Sequence, residues 1–308
     1  MAVPLVVQAP IPVIEETPTP RPAGRAPARR RPRLPRVPVH AVVIVIAAIW
    51  LTPLIGLVVS SFRPSTDVLS SGWWQSFADA GEYTLANYRR VLDRDGMLLS
   101  FFNSLAIVVP ATLLTVVVSS AAAYGLACMR FAFRRGVLLT MVALLIVPVQ
   151  ITFVPLLRVF NGLDLAGSFL GLWLVHLGYG VPFAIYLLHN FFAALPRELF
   201  EAAQIDGASP SQIFFAIVLP ISRPALAALA IFEFVWTWND LLTALIFLGG
   251  YREVAPMTVA VSGLVASRGN GWEVLTSAAM LSMLVPMIVF VAMQKHFVRG
   301  MLAGISKG

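Results

Sequence analysis

Apolar stretches of roughly 20 residues recur along this chain with hardly a charge inside them, and few folds tolerate that pattern. A helix of that length crosses about 30 Å of hydrocarbon. Six stretches qualify: Val39–Ser61, Asn103–Cys128, Gly136–Leu157, Phe169–Phe191, Ala225–Leu248 and Val274–Lys295. Charged residues make up 12% of the chain, against about 25% in a soluble domain. The expected fold class is therefore an all-α polytopic membrane protein with six transmembrane helices.

Between and around these spans the chain divides further. Residues 1–38 hold ten of the 22 prolines and seven arginines. Such a segment cannot bury a core and is expected to be a disordered cytoplasmic tail. The first span, 39–61, is too long for the apolar part of a signal peptide and lacks a clear small-residue cleavage site, so it reads as uncleaved. An outer segment, 62–102, follows; Trp73 and Trp74 within it suit a membrane interface. Residues 103–295 carry five helices and a polar loop, 193–222, and residues 296–308 read as a cytoplasmic tail.

The basic residues set an expected orientation. With both termini inside, the inner segments carry 15 of the 22 Lys and Arg residues and the outer segments carry seven, the bias that favours N-in, C-in. The net charge of +7 is concentrated beside the first span, which fits contact with membrane lipid rather than nucleic acid. The single cysteine, Cys128, allows neither an internal disulfide nor a thiolate metal site. No His/Asp/Glu cluster has metal-ligand spacing, and no nucleophile–base pair points to catalysis. Lys295 and Lys307 are the only lysines, followed by His296 and Gly308. A phosphate-binding loop of Walker type needs Lys followed by Ser or Thr, so ATP hydrolysis, if used, belongs to another subunit.

The polar loop is the most informative stretch. Pro196 is expected at the first position of a short helix, Arg197 to Asp206. Leu199, Ala202, Ala203 and Asp206 then share a face made thin by the alanines, open to close approach by another backbone. Glu198, Glu201 and Ile205 lie on a second face. Gly207 stops the helix in a left-handed C-cap. Ser209, with Pro210 next and Gln212 three residues on, forms a capping box for a second, apolar helix that Pro220 ends.

The spacing Glu201-Ala202-Ala203, three residues, Gly207, nine residues, Ile217, one residue, Leu219-Pro220 closely resembles the signature loop of permease subunits of bacterial binding-protein-dependent ABC importers. "IVPVQITFVPLL", "FVWTWNDLLTALIFL" and "QKHFVRGMLAGISKG" resemble the carbohydrate-uptake branch, in particular its shorter, maltose-type permease. The resemblance spans about Val39 to Gly308 and implies the type I ABC importer permease fold. It implies that Glu201, Ala202, Ala203 and Gly207 dock on an ATPase, with Ile217, Leu219 and Pro220 anchoring the loop's exit. The implied partners are a second homologous permease, two ATP-binding cassette subunits that hold the ATP and Mg, and an extracytoplasmic sugar-binding protein. The implied location is the bacterial inner membrane, and the chain itself binds no cofactor.

Gln150, Glu233, Trp236, Asn239 and Asp240 are the candidate translocation-path residues. Intramembrane carboxylates usually face protein, water or a substrate path. On one continuous helix Glu233, Trp236, Asp240 and Thr243 would share a face, with Asn239 at its edge. Asn239 and Asp240 serve either a path or gate, or hydrogen bonds between helices. Relatives in the family often have an aromatic where this chain has Leu241. Two further readings stand beside a sugar permease: a permease for a polyol or glycerol-phosphate-type solute, and an ion-coupled secondary transporter using Glu233 and Asp240.

Overall fold

The architecture comes from a computed structural model that describes residues 36–77, 83–93, 96–268 and 271–305, with side chains described at 40–77, 83–93, 96–264 and 271–293. The expected disordered tail lies outside the described residues except for its last positions, which begin the first helix. All regular elements among the described residues are helical. They are α1 (Arg36–Ser61), α2 (Ser65–Ser70), α3 (Ala86–Asp93), α4 (Met97–Cys128), α5 (Arg134–Leu144), α6 (Phe153–Gly162) and α7 (Phe169–Ala193). After these come α8 (Arg197–Ile205), α9 (Pro210–Ile213), α10 (Leu219–Ile221), α11 (Arg223–Trp238), α12 (Leu242–Leu248), α13 (Met257–Arg268) and α14 (Trp272–Ile305).

Four helices are long and apolar enough to cross a membrane, and the number reaches six if each of two bent pairs counts as one span. The four are α1, α4, α7 and α14, and each runs unbroken through a proline: Pro53, Pro110, Pro182 and Pro286. α4 starts at Met97, ahead of the expected Asn103. α14 continues to Ile305, so most of the expected C-terminal tail is helix.

The third span departs from the expected single helix. α5 stops at Leu144, and the chain resumes after a bend of 97° through a 3₁₀ turn, Val149–Thr152, leading into α6. The cause is Pro148, extended at ψ 122°: proline disfavours helical geometry in the residue before it and offers no amide hydrogen. The fifth span departs too, for a different reason. No proline interrupts residues 225–248, yet α11 ends at Trp238 and α12 starts at Leu242. Asn239 Nδ2 donates to the Val235 carbonyl at 2.7 Å. Asp240 Oδ1 accepts from the Thr243 amide at 3.3 Å. Short polar side chains that bond nearby backbone offer the chain an alternative to the helix.

The chain divides into two units between Trp50 and Leu51, and each is taken over its described residues. In the smaller unit the described part is the first half of α1, where Ile44, Ile49 and Trp50 are exposed. In the larger unit α4 and α7 are the central pair, packed along much of their lengths. Ser119, Ser120 and Ala123 on α4 are buried; such small side chains let membrane helices approach closely. Three apolar clusters build on this pair. One joins Tyr124, Leu188 and Phe192 to Ala203, Ile213, Phe214 and Val218 of the polar loop. A second gathers α6, α12 and α13 around Leu172 and Phe247. The third seats Trp238 between α4 and α14, and its indole nitrogen donates to the Ser282 carbonyl at 3.0 Å.

The corner between α4 and α5 carries local strain. Phe133 adopts φ +63°, left-handed backbone that costs a bulky residue about 1–2 kcal/mol.

Candidate functional site

The loop after α7 is built by caps. Pro196 occupies the N-cap position with φ −57° and ψ 132°, one residue earlier than expected, so Arg197 opens α8. The helix closes in a full Schellman arrangement. The Ala208 amide bonds the Ala203 carbonyl at 2.9 Å, and the Gly207 amide bonds the Gln204 carbonyl at 3.1 Å. Gly207 sits at φ +80°, where a Cβ would meet nothing within 4 Å. The requirement for glycine there is thus one of backbone conformation and not of space. Ser209 Oγ accepts from the Gln212 amide, Gln212 Oε1 accepts from the Ser209 amide at 2.8 Å, and Pro210 opens α9.

Two features of the loop depart from expectation. Pro220 does not end the second helix, which continues to Ile221 before a 75° bend into α11. Ahead of it, Phe214–Val218 forms a π-helical turn. A proline inside an α-helix clashes with the carbonyl four residues earlier, and the wider π turn moves that carbonyl aside. The second correction concerns Ala203. It is buried in the cluster of Leu188, Phe192 and Ile213, so its small side chain brings α8 close to its own bundle and is not offered to a partner. Glu201 and Ala202 are exposed, as are Ile205 (85%) and Phe215 (67%). Ile217 and Leu219 pack at the edge of the apolar cluster, and Pro220 is half-buried.

One residue that sequence reasoning passed over ties this loop to the bundle. Tyr124, near the end of α4, donates from its hydroxyl to the Pro210 carbonyl at 3.0 Å, and its ring lies 5.0 Å from that of Phe214. A tyrosine closing the small-residue run "SSAAAY" was the available signal. Beside it lies a cleft of about 940 Å³ between the end of α4, α7 and α8. Arg130, Arg134, Arg197 and Glu201 line it.

The five candidate path residues do not converge. Gln150 is exposed on the 3₁₀ turn before α6. Glu233 is 4% exposed. Its Oε2 lies 2.7 Å from where a Cβ on Gly180 would stand, close to Thr115 of α4. The carboxylate therefore rests on bare backbone of α7, and among the described residues no ion pair reaches it. Trp236 is exposed and stacked on Phe232 at 6.0 Å, which in turn meets Phe183 of α7 at 4.6 Å. Asn239 is exposed and bonded to its own helix. Asp240 is half-buried; its Oδ2 lies 3.7 Å from His176 Nε2, and its carbonyl accepts from Thr258 Oγ1 at 2.9 Å. The shared face expected of Glu233, Trp236, Asp240 and Thr243 does not exist: the helix breaks between them, and Glu233 and Trp236 point to different surroundings. Among the described residues no group of three His, Cys, Asp or Glu side chains could hold a metal ion.

Comparison with known proteins places this geometry. A family model described as binding-protein-dependent transport system inner membrane component matches residues 97–303. An osmoprotective compounds uptake permease protein of Synechocystis sp. is 48% identical over 275 residues, 88% of this chain and 92% of the relative. An alpha-glucoside transport system permease protein of Rhizobium meliloti is 48% identical over 231 residues; the match covers 73% of this chain and 61% of that relative's length. A chain from the crystal structure of a bacterial ABC transporter involved in the import of the acidic polysaccharide alginate superposes with TM-score 0.71, covering 87% of this chain and 100% of its own, at 21% identity. That likeness bears on the fold.

Proposed function

We propose, from the premise that the chain belongs to the binding-protein-dependent transport system inner membrane component family, that it is the permease of an ATP-driven importer and forms half of the path for a carbohydrate. Its fold is the type I ABC importer permease fold. The observation that carries the coupling role is the corner of α8 and α9. Glu201, Ala202 and Ile205 are held outward there by a Schellman closure and a capping box, and Tyr124 links the corner to the central helix. A rigid, exposed corner wired to a spanning helix can pass motion from a soluble ATPase into the membrane. On this reading two ATP-binding cassette subunits supply ATP and Mg, a second permease completes the path, and an extracytoplasmic binding protein delivers the solute. Both termini and the loop 193–222 face the cytoplasm.

The relative named for alpha-glucoside transport supports a carbohydrate. The relative named for osmoprotective compounds favours a second reading, a polyol-type or similar compact solute. Reconstitution with the cognate ATPase, second permease and binding protein tests the proposal by following labelled solute into proteoliposomes. ATP-dependent uptake of an α-glucoside is the expected result, and uptake of a polyol in its place selects the second reading. Uptake driven by an ion gradient without any ATPase points instead to a secondary transporter.

A further inference from the structure

The corner between α4 and α5 groups side chains of two kinds, basic and aromatic. Arg130, Phe131, Phe133, Arg134 and Arg135 line one shallow recess of about 370 Å³. Phe133 is 88% exposed and Phe131 50%. We propose that this corner is a binding site for an anionic phospholipid, with the arginines on the headgroup and the two phenyl rings in the adjoining acyl layer.

Depth in the membrane is the first argument. α4 is an apolar helix long enough to span the bilayer, and it ends at Cys128. The next residues therefore lie at or beyond the level where hydrocarbon gives way to headgroups, whichever way the chain is oriented. Aromatic rings are enriched at that level, and long basic side chains reach from it towards headgroups. Conformation is the second. A bulky residue at φ +63° is an outlier, and here the strained backbone directs a phenyl ring outward instead of into the bundle. Water gives no return for that exposure, whereas an acyl layer does. Charge is the third. No carboxylate comes within ion-pair distance of these three guanidinium groups among the described residues. Glu201 shares only the neighbouring cleft with Arg130 and Arg134. Arg134 also donates to the Met129 carbonyl at 2.9 Å, which fixes the turn. A cluster of unpaired basic residues at the membrane surface selects anionic over zwitterionic lipid.

The test uses the full chain in neutral detergent, with phosphatidylglycerol and phosphatidylcholine at equal concentration, read by native mass spectrometry. Wild type is expected to retain phosphatidylglycerol about tenfold over phosphatidylcholine, and Arg130→Gln/Arg135→Gln to bring the two within about twofold. Phe133→Ser should lower retention of both lipids while leaving their ratio unchanged. Arg158→Gln, an exposed arginine on α6, should change nothing. Equal retention of the two lipids by wild type overturns the proposal, as does an Arg158→Gln loss matching that of the double variant. Displacement of the lipid by equimolar glycerol phosphate also overturns it, since the site would then read the phosphate alone. So does selective retention of an acidic peptide over phosphatidylglycerol. Each readout is binding to the isolated chain and is independent of transport.

Discussion

The two ends of α11 are finished in different ways. At its start the chain arrives through a capping box, a π turn, Pro220 and a 75° bend. These devices act between residues close in sequence, and they leave Glu201, Ile205 and Phe215 facing outward. At its end, Asn239 and Asp240 turn the chain with local bonds to Val235 and Thr243, and Asp240 and Trp238 also meet groups from far away in the sequence. His176 of α7 faces Asp240, Thr258 of α13 bonds its carbonyl, and Ser282 of α14 receives Trp238. One end spends its polar groups locally and leaves an exposed surface. The other spends them on holding helices together. A polar residue in a hydrophobic run therefore marks either a working surface or an internal brace, and its neighbours in space decide which.

The largest expected effect separates these two ends. Gly207→Val must place a β-branched residue at φ +80° with no steric neighbour, so its cost is conformational, about 1 kcal/mol or more. That cost falls on the corner itself. Glu201→Ala removes an exposed charge; if that charge pairs across a subunit interface, truncation costs about 2–5 kcal/mol of association. Both variants should insert at normal abundance, lose copurifying ATPase and lose most coupled uptake. Gly207→Asn, which tolerates left-handed backbone, should keep most of both. Equal behaviour of the Val and Asn variants would remove the conformational argument.

A close contact in the middle of α11 is tested next by Gly180→Ala. The added methyl would stand 2.7 Å from Glu233 Oε2 and 2.9 Å from Thr115 Cγ2. Overpacking of this kind costs about 1–3 kcal/mol, and a drop in thermal stability in detergent is the expected reading. Unchanged stability would mean that the Glu233 side chain moves away freely, as a residue lining an open path could.

What the sequence made legible follows the same division. The capping box at Ser209, the turn at Gly207 and the signature spacing through Pro220 are local chemistry, and residues a few positions apart state it. The span positions were legible because about 20 apolar residues have few other destinations. The break at Asn239 was hidden because a continuous apolar run with two polar residues is also a good helix; two of the contacts that accompany the break, to His176 and Thr258, are distant in sequence. The inward orientation of Ala203 was hidden for a related reason. Helical spacing groups residues by face, but it does not say which face meets the bundle. Pro148 could have announced the bend of the third span, yet Pro53, Pro110, Pro182 and Pro286 lie in helices that continue, so proline alone did not discriminate.

A smaller effect sharpens the reading of the break. Asp240→Ala removes the acceptor for the Thr243 amide and the group facing His176. Losing a hydrogen bond of this kind costs about 0.5–1.5 kcal/mol. Asp240→Asn keeps a side-chain oxygen for the same amide and should cost less. A lower unfolding temperature for Ala than for Asn, with ATPase copurification intact in both, marks Asp240 as a brace. The reverse pattern, stability kept and uptake lost in both, would move Asp240 to the path.

The smallest perturbation probes the one long-range hydrogen bond that the α8–α9 corner makes among the described residues. Tyr124→Phe deletes a single hydroxyl and keeps the ring against Phe214. A hydrogen bond of this type contributes about 0.5–1.5 kcal/mol net, so abundance and stability should scarcely change. The Pro210 carbonyl then loses its link to α4, while the caps that shape α8 and α9 remain. If motion passes from the corner to the central helix through this contact, the variant should hydrolyse more ATP per solute imported while binding its ATPase normally. If the ratio stays at the wild-type value, the apolar cluster around Ile213 and Val218 transmits the motion without help, and the corner is as self-contained mechanically as it is in sequence.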